Sequence, residues 1–172
     1  MELAKTIGLF SAFFLYSYQA GVEKAENELR SKYWLKARIL SRKLGKPLLV
    51  VGRPKGRHGC GDVTLDIAPK GECPCEVQGD VRNMHMFSDK QFGSAFCSHV
   101  LEHLPPEDVD KAIGELTRVA HYAVILYPSK YSLIARFHPD HKLRSLQILW
   151  SKNPLGVLEI YDSYASEVIG LL

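Results

Sequence analysis

Carboxylates that close short apolar runs are the first chemical signal in the chain. Asp62-Val63-Thr64-Leu65-Asp66-Ile67 reads as a strand ending in an acid, and an acid so placed accepts hydrogen bonds from two ribose hydroxyls or simply closes a turn. Cys75-Glu76-Val77-Gln78-Gly79-Asp80-Val81 repeats the arrangement, with Asp80 just beyond a strand. Pro47-Leu48-Leu49-Val50-Val51 reads as a buried parallel strand that runs into Gly52-Arg53-Pro54-Lys55-Gly56. Gly52 and Gly56 lack side chains, so a nucleotide-like ligand can approach the backbone there. Phe92-Gly93-Ser94-Ala95-Phe96-Cys97 is a further strand and leads into Ser98, His99 and His103, the residues nearest to hand for proton chemistry. A bland role for both histidines is to tie a loop to a helix.

The elements that must position these groups follow from periodicity. A helix is expected from about Pro106, because prolines suit a first turn and Glu107 and Asp108 suit a helix N-terminus. Val109, Ala112, Ile113, Leu116 and Val119 form its buried stripe. His121 to Tyr127 is the next strand. Leu146 to Trp150 and Val157 to Tyr161 read as two more strands, joined through Asn153-Pro154-Leu155-Gly156. The segment Ser129 to His141, with His138-Pro139-Asp140-His141, reads as a lid or partner loop or as a plain surface turn.

The succession Gly79-Asp80, a strand, His99-Val100-Leu101-Glu102-His103-Leu104, an acidic loop and Glu115-Leu116-Thr117-Arg118-Val119 resembles the type 11 group of class I S-adenosylmethionine-dependent methyltransferases. The resemblance covers roughly Leu48 to Ser129. It implies a Rossmann-like α/β sheet, mostly parallel, with a C-terminal antiparallel hairpin. It implies S-adenosyl-L-methionine as cofactor, with Gly52 and Gly56 bordering it, Asp66 on the ribose, Asp80 near the adenine amino group, and Ser98 and His99 lining the methionine side. His99 is the one residue it suggests as catalytic. In that family an acid stands where this chain has Val50, a second glycine where it has Pro54, and commonly an aspartate where it has Gly93. The customary helix between the first two strands has little room.

From Thr6 to Val22 there is no charged residue, and Ile7, Leu9, Phe10, Phe13, Phe14 and Leu15 make the run apolar. It is long enough for a membrane span at the short end of the range, and a buried core helix is the rival reading. Lys24, Arg30, Lys32, Lys36, Arg38, Arg42, Lys43 and Lys46 follow, which places the C-terminal part on the cytoplasmic or equivalent side. Residues 23–46 read as a basic amphipathic helix striped by Leu29, Tyr33, Ala37, Leu40 and Leu44, facing lipid, protein or both. The expected domains are therefore an anchor at 1–22, the basic helix at 23–46 and the methyltransferase-like domain at 47–172.

With 172 residues, 46% of them hydrophobic and 24% charged, the chain suits one folded domain plus an appendage and excludes a disordered or polytopic protein. A net charge of +3 is too small to call for nucleic acid. Cys60, Cys73, Cys75 and Cys97 have no framework spacing, so disulfides are not expected. With His58 they also lack the repeated spacing of a zinc site, and no metal is expected. Two functions follow as expectations. One is a membrane-anchored, single-pass methyltransferase of unspecified acceptor, in contact with membrane lipid. The other is a non-catalytic scaffold of the same fold, an accessory subunit among membrane proteins.

Overall fold

No proline interrupts the chain before Pro47, and one helix runs almost to it. A computed structural model of the protein describes residues 2–52, 59–163, 165 and 166. Its first element, α1 (Glu2–Lys43), has 42 residues, a length of about 63 Å at 1.5 Å per residue. The anchor and the basic helix expected separately are thus one continuous rod.

The two ends of α1 differ in what they touch. Phe10, Phe13 and Phe14 are 72%, 71% and 73% exposed. Ser11, Ser17 and Gln19 dilute this apolar stretch, and among the described residues no helix is long and apolar enough to cross a membrane. The expected span is not found. Toward the other end, Ala37, Leu40 and Leu44 are buried against Leu48, Val50, Phe96, Tyr122 and Val124. Arg38 binds Asp62 Oδ1 at 2.7 Å and the Cys60 carbonyl at 2.8 Å, and Lys36 binds Glu159 and Tyr161. Lys36 and Arg38 therefore pin the helix to the domain, and Ala37, Leu40 and Leu44 belong to the same core cluster as Leu48, Val50, Phe96 and Leu126.

The sheet consists of β1 (Leu48–Val51), β2 (Val63–Asp66), β3 (Glu76–Gln78), β4 (Phe92–Ser98), β5 (Ala120–Leu126) and β6 (Val157–Tyr161), in the order β3-β2-β1-β4-β5-β6. The first five pair in parallel, and β6 runs antiparallel to β5, with Leu126 opposite Val157. The chain steps outward from β1 to β3 and then returns to the other side of β1 as β4. Such a reversal opens a crevice at the carboxyl ends of the central strands.

One face of the sheet is covered by α2 (Val109–Val119), which buries Val109, Ala112, Leu116 and Val119, together with Val81, Met84 and Phe87 of the β3–β4 connection. On the opposite face α1 lies where crossover helices would otherwise sit. It comes so close to β4 that a Cβ on Gly93 would stand 2.7 Å from the Ser41 Cα. The glycine that departs from the family pattern is thus a packing requirement of this helix. Val50, 3% exposed in the same layer, explains why an acid is absent there: a carboxylate facing Ala37 and Leu40 would lose its water without a partner.

The C-terminal region corrects the sequence reading. Leu146 to Trp150 is not a strand but part of α4 (Leu143–Lys152), which follows the short α3 (Leu133–Phe137). Leu146 and Leu149 are both fully buried, a helical spacing of three that a five-residue apolar run does not reveal by itself. The antiparallel partner of β6 is therefore β5. A second correction concerns the cysteines. Cys60 and Cys73, with Cα atoms 5.5 Å apart, form a disulfide that closes the ends of the β2 segment, while Cys75 is exposed and Cys97 buried.

Candidate functional site

Four of the expected residues converge on one cavity of about 490 Å³ at the carboxyl ends of β1, β2, β3 and β4. Gly52 ends β1 with φ of +85°, and an added Cβ would meet Val100 Cγ2 at 2.4 Å. Asp66, the last residue of β2, accepts from the Ala68 amide at 2.8 Å through Oδ1, and Ile67 beside it is 67% exposed on the cavity wall. Past β3, Asp80 is gripped by Arg82, whose Nε lies 3.0 Å from both carboxylate oxygens and whose Nη1 reaches Asp108 at 2.7 Å. The Arg82 hydrogen bond holds the Asp80 carboxyl below its ordinary value despite partial burial, and the two acids raise Arg82 in turn.

After β4, His99 adopts φ of +56°, a left-handed conformation that a non-glycine residue holds only under tertiary constraint. Its amide donates to the Leu126 carbonyl at 2.8 Å and its Nδ1 lies 3.1 Å from Glu102 Oε1. With Nδ1 as donor to the carboxylate, the other ring nitrogen, Nε2, is left to accept. His103 and Leu104 line the same cavity, and His103 Nδ1 meets the Asp140 carbonyl at 3.2 Å.

Two expected residues are placed otherwise. Ser98 is not on the cavity wall but accepts from Arg30 Nε at 3.2 Å, so α1 closes over that end of β4. Burial lowers the Arg30 pKa, opposed by the charges of Glu26 and Glu102. Gly56, with Pro54, lies outside the described residues. Sequence reasoning did not single out Arg30, Arg82 or the burial of Glu102. An arginine two residues past Asp80 was visible, but its side chain's return to that acid was not.

Residues 62–126 match the family described as "Methyltransferase domain". No curated protein sequence matches the chain. Among solved structures, a SAM-dependent methyltransferase from Archaeoglobus fulgidus is 22% identical over 71% of this chain and 67% of its own, with a TM-score of 0.49. The N-methyltransferase NodS from Bradyrhizobium japonicum is 13% identical over 77% and 94%, at 0.47. The 1,6-didemethyltoxoflavin-N1-methyltransferase of Burkholderia thailandensis, with bound 1,6-didemethyltoxoflavin and S-adenosylhomocysteine, is 15% identical over 74% and 65%, at 0.39. The chain thus spans about two thirds of the length of the first and the third of these.

Proposed function

We propose that the cavity binds S-adenosyl-L-methionine and that the protein transfers its methyl group to an acceptor met at a membrane surface. The observation that carries this reading is the convergence of Gly52, Asp66, Asp80 and His99 on one cavity at the reversal of strand order. The residues fit the nucleoside half of such a cofactor. Asp66 offers a carboxylate at a strand end, where ribose hydroxyls can donate to it, and Ile67, Val81 and Leu104 give apolar walls for a purine. Arg82 fixes the Asp80 carboxylate in one orientation toward the cavity rim. When bound, the cofactor supplies an electrophilic sulfonium methyl. The chain's own contribution is to hold the reactants in line, while His99 Nε2 is positioned to hold a proton of the acceptor.

The exposed apolar end of α1 supports the membrane part of the reading. Phe10, Phe13 and Phe14 present large apolar area to the surroundings, and lipid contact at this end requires no crossing of the bilayer.

A second reading, a non-catalytic scaffold or accessory subunit, is favoured by one observation: Val100 packs into the space over Gly52 and Arg30 occupies Ser98, which narrows the end of the site that would take the amino-acid half of the cofactor. Calorimetric titration of the full chain with S-adenosylhomocysteine separates the two. Saturable binding that is lost in Asp66→Ala supports the enzyme. No binding to a folded sample supports the scaffold. For the membrane, the triple variant Phe10→Asp, Phe13→Asp, Phe14→Asp should no longer float with lipid vesicles; unchanged flotation would remove that part of the proposal.

A further inference from the structure

At the rim of the cavity, the turn after β4 meets the segment between α3 and α4, and three metal-type donors come together. The ligand atoms of Glu102, His103 and His141 lie within 4.8 Å of one another. Glu102 is 0% exposed. Its Oε1 faces His99 Nδ1, while its Oε2 is buried with no hydrogen-bond partner. A buried carboxylate oxygen without a partner is costly, and a native fold retains one where something else engages it.

The two imidazoles are set for the same task. His103 Nδ1 lies 3.2 Å from the Asp140 carbonyl and His141 Nδ1 lies 3.1 Å from the Ala135 carbonyl. Carbonyls accept only, so in both rings Nδ1 carries the proton and Nε2 presents its lone pair. Backbone carbonyls used in this way fix the tautomer and aim of metal-binding histidines. His138 stacks on His141 at 4.4 Å, but its Nδ1 accepts from the Asp140 amide, so its other nitrogen is the protonated one. It orients the cluster without joining it.

We propose that Glu102, His103 and His141 bind a divalent transition-metal cation, zinc foremost, through Glu102 Oε2 and the two Nε2 atoms. Two imidazoles and one carboxylate suit zinc and its neighbours rather than magnesium or calcium, which prefer oxygen alone. Ligand atoms within 4.8 Å of one another approach the separations of about 3–4 Å that bonds of roughly 2.0–2.2 Å impose. Three protein ligands leave at least one coordination position for water or an oxygen-bearing molecule. His103 belongs to both the cluster and the cavity wall, so that position opens at the cavity's edge. The cation would also clamp the 138–141 segment to the 101–103 turn, which the Lys142 amide already holds through the Glu102 carbonyl at 2.8 Å. This site is independent of the methyl-donor reading.

The test uses the full chain without a histidine tag, stripped with a chelator and titrated with Co²⁺ while its visible absorption is followed, then displaced by Zn²⁺. One equivalent should bind. His103→Asn and His141→Asn should each weaken binding at least about tenfold, whereas His138→Asn and Cys75→Ser should retain it. His103 is exposed, so His103→Asn should keep the native circular dichroism; Glu102→Gln, which alters a buried group, is read only if it does too. Absence of binding to a folded sample overturns the proposal, as does binding that survives both His103→Asn and His141→Asn.

Discussion

Gly52→Ala probes the turn on which the cavity depends, because two separable penalties meet there. With φ at +85° the residue sits where an L side chain is strained, at a cost of about 1–2 kcal/mol. The added methyl would also stand 2.4 Å from Val100 Cγ2, an overpacking of a kind that costs about 1–3 kcal/mol. Together these predict a loss of roughly 2–5 kcal/mol, a large share of the roughly 5–15 kcal/mol that holds a typical domain. For a chain of this size that lowers the melting temperature by roughly 4–20 °C. Urea unfolding of the full chain, followed by circular dichroism, reads the effect as a lower midpoint at unchanged slope. Made in a Val100→Ala background, the same substitution should cost only the backbone share, so a double-mutant cycle should yield a coupling of about 1–3 kcal/mol. A change within about 0.5 kcal/mol, the ordinary range of surface substitutions, would refute the strained turn. A full-sized loss with no coupling to Val100 would refute the close approach.

Iodoacetamide should label the native oxidised protein at Cys75, reach Cys97 only after denaturation, and reach Cys60 and Cys73 only after reduction as well, as mass mapping would show. Reduction of that disulfide, which spans 13 positions in sequence, should lower stability by about 2–3 kcal/mol; an unchanged urea midpoint would count against it. Asp80 and Glu115 are held below their ordinary values, first by hydrogen bonds from Arg82 and Arg118, so the folded state binds fewer protons than the unfolded one. Their contribution is full above the ordinary carboxylate pKa of about 4 and is lost as pH falls through the depressed values, and Arg82→Gln should flatten that fall in the urea midpoint. Tyr127→Phe removes the hydroxyl that bonds the Leu149 and Asn153 carbonyls at 2.9 and 3.0 Å, and should cost about 1–2 kcal/mol in the same assay.

The parallel strands and α2 were legible because each is a short apolar run or a clean helical stripe bounded by Pro, Gly or acids. Leu48–Val51 and Val109–Val119 fall within a residue or a few of their expected limits. α4 was misread because Leu146 to Trp150 is too short to show its period, and only contact with Leu101 and Tyr127 across the core reveals which side is buried. Asp66 and Asp80 were legible as strand-end acids, since sheet topology alone brings strand ends together. The approach of His141 to Glu102 was not, because it depends on how a long connection folds back over a turn. Cys60 and Cys73 escaped for the same reason: they become neighbours only once β2 has paired with β1 and β3.

The helix that covers the sheet is also the one that projects from it. Residues 2–17 precede Tyr18, whose hydroxyl donates to the Tyr131 carbonyl and marks where the body of the protein begins. Sixteen residues of helix amount to a stand-off of about 24 Å. A stiff spar of this kind, rooted in the core at Ala37, Leu40 and Leu44, has no joint at which the body could swing independently of it. Whatever holds the tip therefore sets both the height and the heading of the cavity.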